Sequence, residues 1–327
     1  MKALSLLALV VIIVADASSP AAAQALPTEY RVGLLSTGSE ATDRSAFSTE
    51  LIEGFARRGL IVGQNLVVEG QAAQGQLDRL PQLVQKLAAS RVGVIVTLGY
   101  PAALAAKEHT TLPVVVVRAG DPVADGLVAN FAHPGGHVTG LSEGAAELST
   151  KRLTLLKEAV PKVRRVAMLW NAEDLGMSLR YKAADAEARR LGLRVDSYGV
   201  GAPDDFETTF VAMMRHPPDA ILMVTDALTN LKRKQVIDFA AQHKLPAIYE
   251  YDFLVREGGL MSYGPELGEM FDRAAGLAVR ILRGADPAEL PLETPSRFVL
   301  AINLATAGKI GVKFPPSLLA RADGVIE

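Results

Sequence analysis

Six short stretches carry the residues best suited to hold a small polar molecule: Ser36-Thr37-Gly38, Gly99-Tyr100-Pro101, Gly120-Asp121-Pro122, Asn171, Thr225-Asp226 and Tyr249-Glu250. Hydroxyls and amides offer donors and acceptors, and glycines let the backbone approach a ligand closely. Tyr100-Pro101 reads as a helix start with proline in the first turn, so free N–H groups and a partial positive charge would face a carboxylate. Arg118 follows an aliphatic run, and a buried arginine needs a partner. Asp121, Glu250 and the carboxylate of a ligand are all open to it.

Catalytic and metal chemistry find little support. There is no cysteine, which excludes disulfides, thiolate metal sites and thiol nucleophiles. His133 and His137 flank Pro134-Gly135-Gly136, without the rigid helix that gives a spacing of four its meaning for zinc. No G-x-S-x-G elbow, phosphate loop or G-x-G-x-x-G after the first strand is present. Asp43, Asp78 and Asp121 read as caps and turn residues. No cofactor, metal or enzymatic activity is expected. Tyr100, Trp170, Tyr249, Tyr251, Phe253 and Tyr263 fall at or just past strand ends, where flat rings would suit an apolar ligand body or simply pack a core.

The elements that must position these residues alternate in type. Val32–Leu35, Val92–Val96, Val114–Val117, Val166–Leu169, Ala220–Val224 and Leu245–Ile248 are near-continuous aliphatic runs, as in strands of a parallel sheet buried on both faces. Between them, Leu80, Leu83, Val84 and Leu87 recur at helical spacing, Phe47, Leu51 and Phe55 repeat every four residues, and Leu175–Leu191 is helical up to Gly192. The pattern runs twice, from Arg31 to about Val117 and from about Arg165 to Ile248. It predicts an α/β fold of two doubly wound parallel-sheet lobes joined by a hinge, with the loops at the strand C-termini facing a crevice. Lobe 1 is expected over residues 30–143 plus about 265–290. Lobe 2 is expected over 144–264 plus part of about 291–327.

The first 25 residues differ from the rest. Lys2 precedes an apolar run from Ala3 to Val14, and small residues follow at Ala21, Ala22, Ala23 and Ala25. This is the pattern of a secretory signal peptide, cleaved between Ala23 and Leu26, and the run is too short to span a bilayer. The processed chain is expected in the periplasm and not in the membrane. With 34 Lys plus Arg against 36 Asp plus Glu, and a net charge of −2, a nucleic-acid partner is not expected.

Several stretches are more specific: Gly63-Gln64-Asn65-Leu66, Arg79-Leu80-Pro81, Gly120-Asp121-Pro122-Val123, Pro134 through Leu141, Arg152-Leu153 through Lys157, Leu245 through Tyr249, Gly258 through Gly264, and Pro315 through Asp323. Through them the sequence resembles, from about Tyr30 to Glu327, the substrate-binding proteins of ABC transporters related to tryptophan and tyrosine transport, with a type I periplasmic-binding-protein fold. The resemblance implies that Ser36, Thr37, Tyr100, Pro101, Gly120, Asp121, Asn171, Thr225, Asp226 and Tyr249 line a cleft between the lobes. It implies a small-molecule ligand bearing a carboxylate, an amino acid or an aromatic acid, delivered to the membrane permease of an ABC importer. For an amino acid, Asp226 would take the ammonium, and Ser36, Thr37 and the helix start near Tyr100 the carboxylate; Asp226→Asn is then expected to weaken the ligand about tenfold or more while leaving the melting of the unliganded protein nearly unchanged. His137 and Arg118 depart from the pattern. An envelope sensor feeding a membrane kinase, or less readily an α/β enzyme, is the alternative.

Overall fold

A computed structural model describes residues 29–38 and 45–327. The segment read as a signal peptide and Asp43 lie outside the described residues. In chain order, β1 (Tyr30–Ser36), α1 (Ala46–Ala56), β2 (Leu66–Ala72), α2 (Leu80–Ala89), β3 (Val94–Leu98), α3 (Tyr100–His109), β4 (Val114–Val117) and β5 (Val138–Gly140) build the first sheet and its helices. The second part begins with α4 (Ala145–Ala159), β6 (Arg165–Asn171), α5 (Leu175–Arg190), β7 (Arg194–Val200) and α6 (Asp205–Arg215). It continues through β8 (Ala220–Met223), α7 (Ala227–Leu231), α8 (Arg233–Gln242), β9 (Ala247–Tyr249), α9 (Asp252–Arg256) and β10 (Met261–Pro265). Then follow α10 (Leu267–Leu282), β11 (Phe298–Asn303), α11 (Leu304–Ile310), α12 (Pro316–Leu319) and β12 (Gly324–Ile326).

The strands form two sheets, as the aliphatic runs predict. The first has the order β2-β1-β3-β4-β5 and is parallel throughout. The second has the order β12-β11-β10-β9-β8-β6-β7. Its neighbours are parallel except for β10 and β11. That reversal has a topological cause. The chain leaves the second sheet at the end of β10, builds α10 on the first, and returns to enter β11 from the side on which β10 ended.

Helices cover both faces of each sheet, so the central strands see no water and need no polar residue on either side. In the first lobe, α1 and α10 share a core in which Phe47, Leu51, Phe55, Phe271 and Ala274 are buried, and the Phe47 and Phe271 rings lie 5.4 Å apart. The opposite face is closed by α2 and α3 through Leu83, Val84, Leu87 and Ala103. In the second lobe α4 and α5 pack on one face and α6 and α8 on the other. Burying each large aliphatic side chain contributes about 1.5 to 3 kcal/mol, which is why the stripe Leu80, Leu83, Val84, Leu87 fixes how α2 lies.

The chain passes between lobes three times: between β5 and α4, between β10 and α10, and ahead of β11. At the second passage Gly264 lies so close to the Glu250 carbonyl oxygen that a Cβ there would stand 2.0 Å from it. Only glycine fits that position.

Candidate functional site

The first lobe presents a donor-rich wall to the space between the lobes. Gly99 turns β3 into α3 with φ +87°, a conformation that favours glycine. No side chain caps α3, and Pro101 occupies its first turn. Among the described residues the start of this ten-residue helix thus has no side-chain cap, and Gly99, Tyr100 and Pro101 line the cleft together with Thr37 and Gly120. Arg118 follows β4 in the left-handed region, at φ +60°. Its Nε donates to the Tyr251 hydroxyl at 2.6 Å and its Nη2 to the Thr225 carbonyl at 3.2 Å, both in the second lobe. The guanidinium also lies over the Tyr251 ring, 4.4 Å from the centroid.

The facing wall is acidic. Asp174 is the N-cap of α5 and accepts from the Gly176 N–H at 2.9 Å. Burial first, and then the nearby Asp226, push its carboxyl up to about 6. Asp226 caps α7 through Oδ1, which accepts from the Thr229 N–H, while Oδ2 accepts from the Asn171 amide. Thr225, Asp226 and Met177 complete this side of the cleft.

Beneath the cleft lies a buried ionic network. Arg180 of α5 donates to Glu143 at 2.8 Å and to Glu250 at 3.2 Å. Arg152 of α4 donates to Glu250 at 2.8 Å and to the Tyr263 carbonyl at 2.7 Å. The Tyr251 hydroxyl, which accepts from Arg118, donates to Glu143 at 2.7 Å. Burial opposes the charge of Glu143, yet Arg180 and Arg118 outweigh it and hold the carboxyl below its usual range. In the same way Glu250 and Glu143 outweigh the desolvation of Arg180 and raise it. Because Glu143 sits in the passage between β5 and α4, the network ties that strap to both lobes.

Several buried polar atoms around the cleft have no hydrogen-bond partner among the described residues: Thr225 Oγ1, Arg180 Nε and both carboxyl oxygens of Asp125. Unsatisfied groups cost on the order of 1 to 3 kcal/mol each, so atoms of this kind are few in a folded protein and are available to a polar partner such as water or a ligand.

Of the residues selected from sequence, Thr37, Tyr100, Pro101, Arg118, Gly120, Thr225 and Asp226 come together as cleft lining. Asn171 stands behind Asp226 and orients it. The other four lie elsewhere. Ser36 is buried at the end of β1, next to the lining Thr37. Asp121 accepts from the Ala146 N–H at 3.0 Å and is spent on the start of α4. Glu250 is enclosed between Arg152 and Arg180. Tyr249 is fully buried in the second-lobe core, its hydroxyl raised by desolvation. Arg118 pairs with neither Asp121 nor Glu250 through a hydrogen bond. The aromatic wall is also reduced to Tyr100: Trp170 stacks on Tyr181, Phe253 on Tyr251, and Tyr263 on Phe298.

Asp174, Met177, Arg180 and Glu143 escape the sequence reading. Arg180 carried a usable signal, since it occupies the buried stripe of α5 with Met177, Ala184 and Ala188, where a charge is out of place unless paired. Asp174 and Glu143 are single acids in loops, and nothing local separates them from ordinary caps.

A family model described as ABC transporter substrate binding protein matches residues 40–326. A Clostridioides difficile (strain R20291) protein described as a tyrosine-binding protein is 23% identical over 253 residues, covering 77% of this chain and 72% of that protein. Among solved structures, the fold is similar to an ABC domain from Streptococcus pneumoniae in complex with L-Trp, with TM-score 0.83, 24% identity, 91% of this chain and 100% of that one. It is similar too to a conserved domain protein from Vibrio cholerae, with TM-score 0.84, 24% identity, 90% of this chain and 99% of that one.

Proposed function

This chain belongs to the family of ABC transporter substrate-binding proteins, and from that premise we propose that it captures a free α-amino acid between its lobes for a membrane permease. The observation that carries the reading is the charge division of the cleft. Arg118, Thr37 and the uncapped start of α3 face, from one lobe, Asp174 and Asp226 on the other. A zwitterion complements both walls, with its carboxylate against the donors and its ammonium against the acids, each charge-assisted hydrogen bond contributing about 1.5 to 3 kcal/mol. A neutral sugar or an amine-free acid would leave one wall unmatched. The tyrosine and L-Trp named for two similar proteins support the same class of ligand. Two lobes joined by three passages can rotate about them as rigid bodies, so closure over the ligand accompanies binding.

Export belongs to the same reading: the Ala3 to Val14 run and the alanines after it direct the chain out of the cytoplasm, with cleavage between Ala23 and Leu26. N-terminal sequencing of the periplasmic fraction tests this, and an intact Met1 on a cytoplasmic protein would overturn it.

Native mass spectrometry of the freshly purified protein, followed by a thermal-shift screen of amino acids and amine-free aromatic acids, tests the ligand class. A ligand at one hundred times its dissociation constant stabilises the folded state by about 2.7 kcal/mol. A response to the amine-free acids that survives Asp226→Asn and is abolished by Arg118→Ala would replace the amino-acid reading with an aromatic-acid one.

A further inference from the structure

The end of the first lobe that points away from the cleft carries more positive charge than its acids neutralise. Parallel strands bring their C-termini to the cleft, so the segments ahead of those strands gather at the opposite end. There the Tyr30 N–H donates to the Asn65 carbonyl at 2.8 Å, and Arg31 Nε to the Ser90 carbonyl at 2.9 Å. The end of α10 joins them. A Cβ on Gly93 would stand 2.8 Å from a Leu282 methyl, and Arg283 Nη2 donates to the Arg58 carbonyl at 2.9 Å.

The acids at this end are already engaged. Arg31 pairs with Glu29 and Glu69, Arg57 and Arg58 share Asp272, and Glu53 lies 3.8 Å from Arg57. Asp286, the next acid after α10, caps the short turn at Pro287. Lys86, Arg91, Arg280 and Arg283 are exposed and form no ion pair among the described residues. This surplus stands against a net charge of −2 for the whole chain. Beside it two aliphatic side chains face water just after Arg58: Ile61 is 41% exposed and Val62 47%. Their exposure is built in. The Ile61 N–H donates to Asn65 Oδ1 at 2.7 Å, the Asn65 N–H to the Ile61 carbonyl at 3.1 Å, and Asn65 Nδ2 to the Gly59 carbonyl at 2.9 Å. The stapled turn buries Leu60 and holds the next two side chains outward.

We propose that this end of the first lobe rests on an anionic lipid surface, with the unpaired cations against the phosphates and Ile61 and Val62 at the headgroup boundary. Binding to such a surface grows with the apolar area buried and with the attraction of nearby cations, each of which adds roughly fivefold in affinity. Arginine suits the task, because its guanidinium stays charged and offers several donors to a phosphate. An acidic protein would match the cations but leave the aliphatic pair uncovered. The cleft lies at the other end of the lobe, so a protein held in this way keeps its clamp free. Residence on a membrane surface goes beyond ligand capture and raises the effective concentration of the protein near a membrane partner.

Co-sedimentation of the processed protein with lipid vesicles tests this without any ligand. Wild type should bind vesicles of phosphatidylcholine and phosphatidylglycerol in about equal parts at about 0.05 M salt, be released at about 0.5 M, and leave pure phosphatidylcholine vesicles almost untouched. Arg91→Asn combined with Arg280→Ser should weaken binding roughly twenty-five-fold. Ile61→Ser combined with Val62→Ser should weaken it several-fold. Lys182→Ser combined with Lys313→Ser removes the same charge from exposed positions of the second lobe and should bind as wild type does. Neither Arg91 nor Arg280 donates a side-chain hydrogen bond among the described residues, so an unaltered melting temperature certifies the fold of that variant. Failure of wild type to bind at about 0.05 M salt, or an equal loss in the second-lobe variant, overturns the proposal. Binding to polyglutamate as tight as to the vesicles, and kept by the Ile61 and Val62 variant, overturns it too and makes the partner an acidic protein.

Discussion

Arg118 reaches across the cleft to Tyr251, donating to its hydroxyl at 2.6 Å while its guanidinium covers the ring of the same residue. The phenol is thus both acceptor and platform, and its own O–H donates to Glu143. Tyr251→Phe keeps the platform and removes the relay, leaving Arg118 Nε and Glu143 Oε2 without that partner. Stability should fall by about 1 to 3 kcal/mol. Ligand affinity should fall with it, although Tyr251 is outside the cleft lining. Urea denaturation and the thermal-shift response read the two effects separately.

Glu250→Gln should be more damaging. Its carboxylate serves Arg152 and Arg180 at once in a place almost without exposure. Removing one member of a buried ion pair costs about 3 to 5 kcal/mol, because the other charge stays behind. The denaturation midpoint should drop accordingly. A variant as stable as wild type would show that Glu143 alone satisfies Arg180.

Asp226→Asn should cost stability even without ligand, contrary to the expectation drawn from sequence. An asparagine can still cap α7, but it turns an amide toward the Asn171 amide that now donates to Oδ2. Asn171 cannot simply reverse, since its Oδ1 accepts from the Glu173 N–H. A loss of about 1 kcal/mol is expected in the unliganded protein, in addition to a roughly tenfold weaker amino-acid ligand. Melting curves recorded with and without ligand separate these two losses.

Asp125→Asn should change how stability depends on pH. A carboxyl raised from 3.8 to about 6 binds protons more tightly when folded, so its contribution is fully present below the unfolded value and declines as pH rises to about 6. The variant lacks this decline. Relative to wild type it should therefore gain stability between about pH 4 and about pH 6 and keep that gain above. Denaturation at three pH values suffices to check it, and parallel curves for the two proteins would contradict the burial of an ionisable group here.

The parts of this molecule that were legible in sequence are those fixed by continuous burial. Val114–Val117 is β4 without adjustment, and the stripe on α2 lies in the core as its spacing requires. Edge strands hid better: β2 and β7 border their sheets, are half exposed, and spend polar residues such as Glu69 and Ser197 on the water side. At the cleft, residues directly after central strands were readable because topology aims them there. Asp125, Asp174 and Glu143 were not, because their roles arise only when two lobes, distant in sequence, are laid face to face. Tyr249 was misplaced because it is the last residue of β9 and not the first of the loop after it, and β9 is buried throughout, in a core that also holds Leu254 and Ala240.

The placement of α10 has a consequence for how the chain is made. This helix supplies half of one face of the first lobe's core, including Met270, Phe271, Ala274 and Leu277, yet it is encoded after nearly all of the second lobe. During synthesis Leu51, Phe55 and their neighbours have no cover until residue 282 has emerged. The amino-terminal half thus cannot complete an independent domain early, as contiguous domains do. Under the export proposed above, this arrangement gives the chain time to be translocated in extended form, because its own topology postpones the commitment to fold.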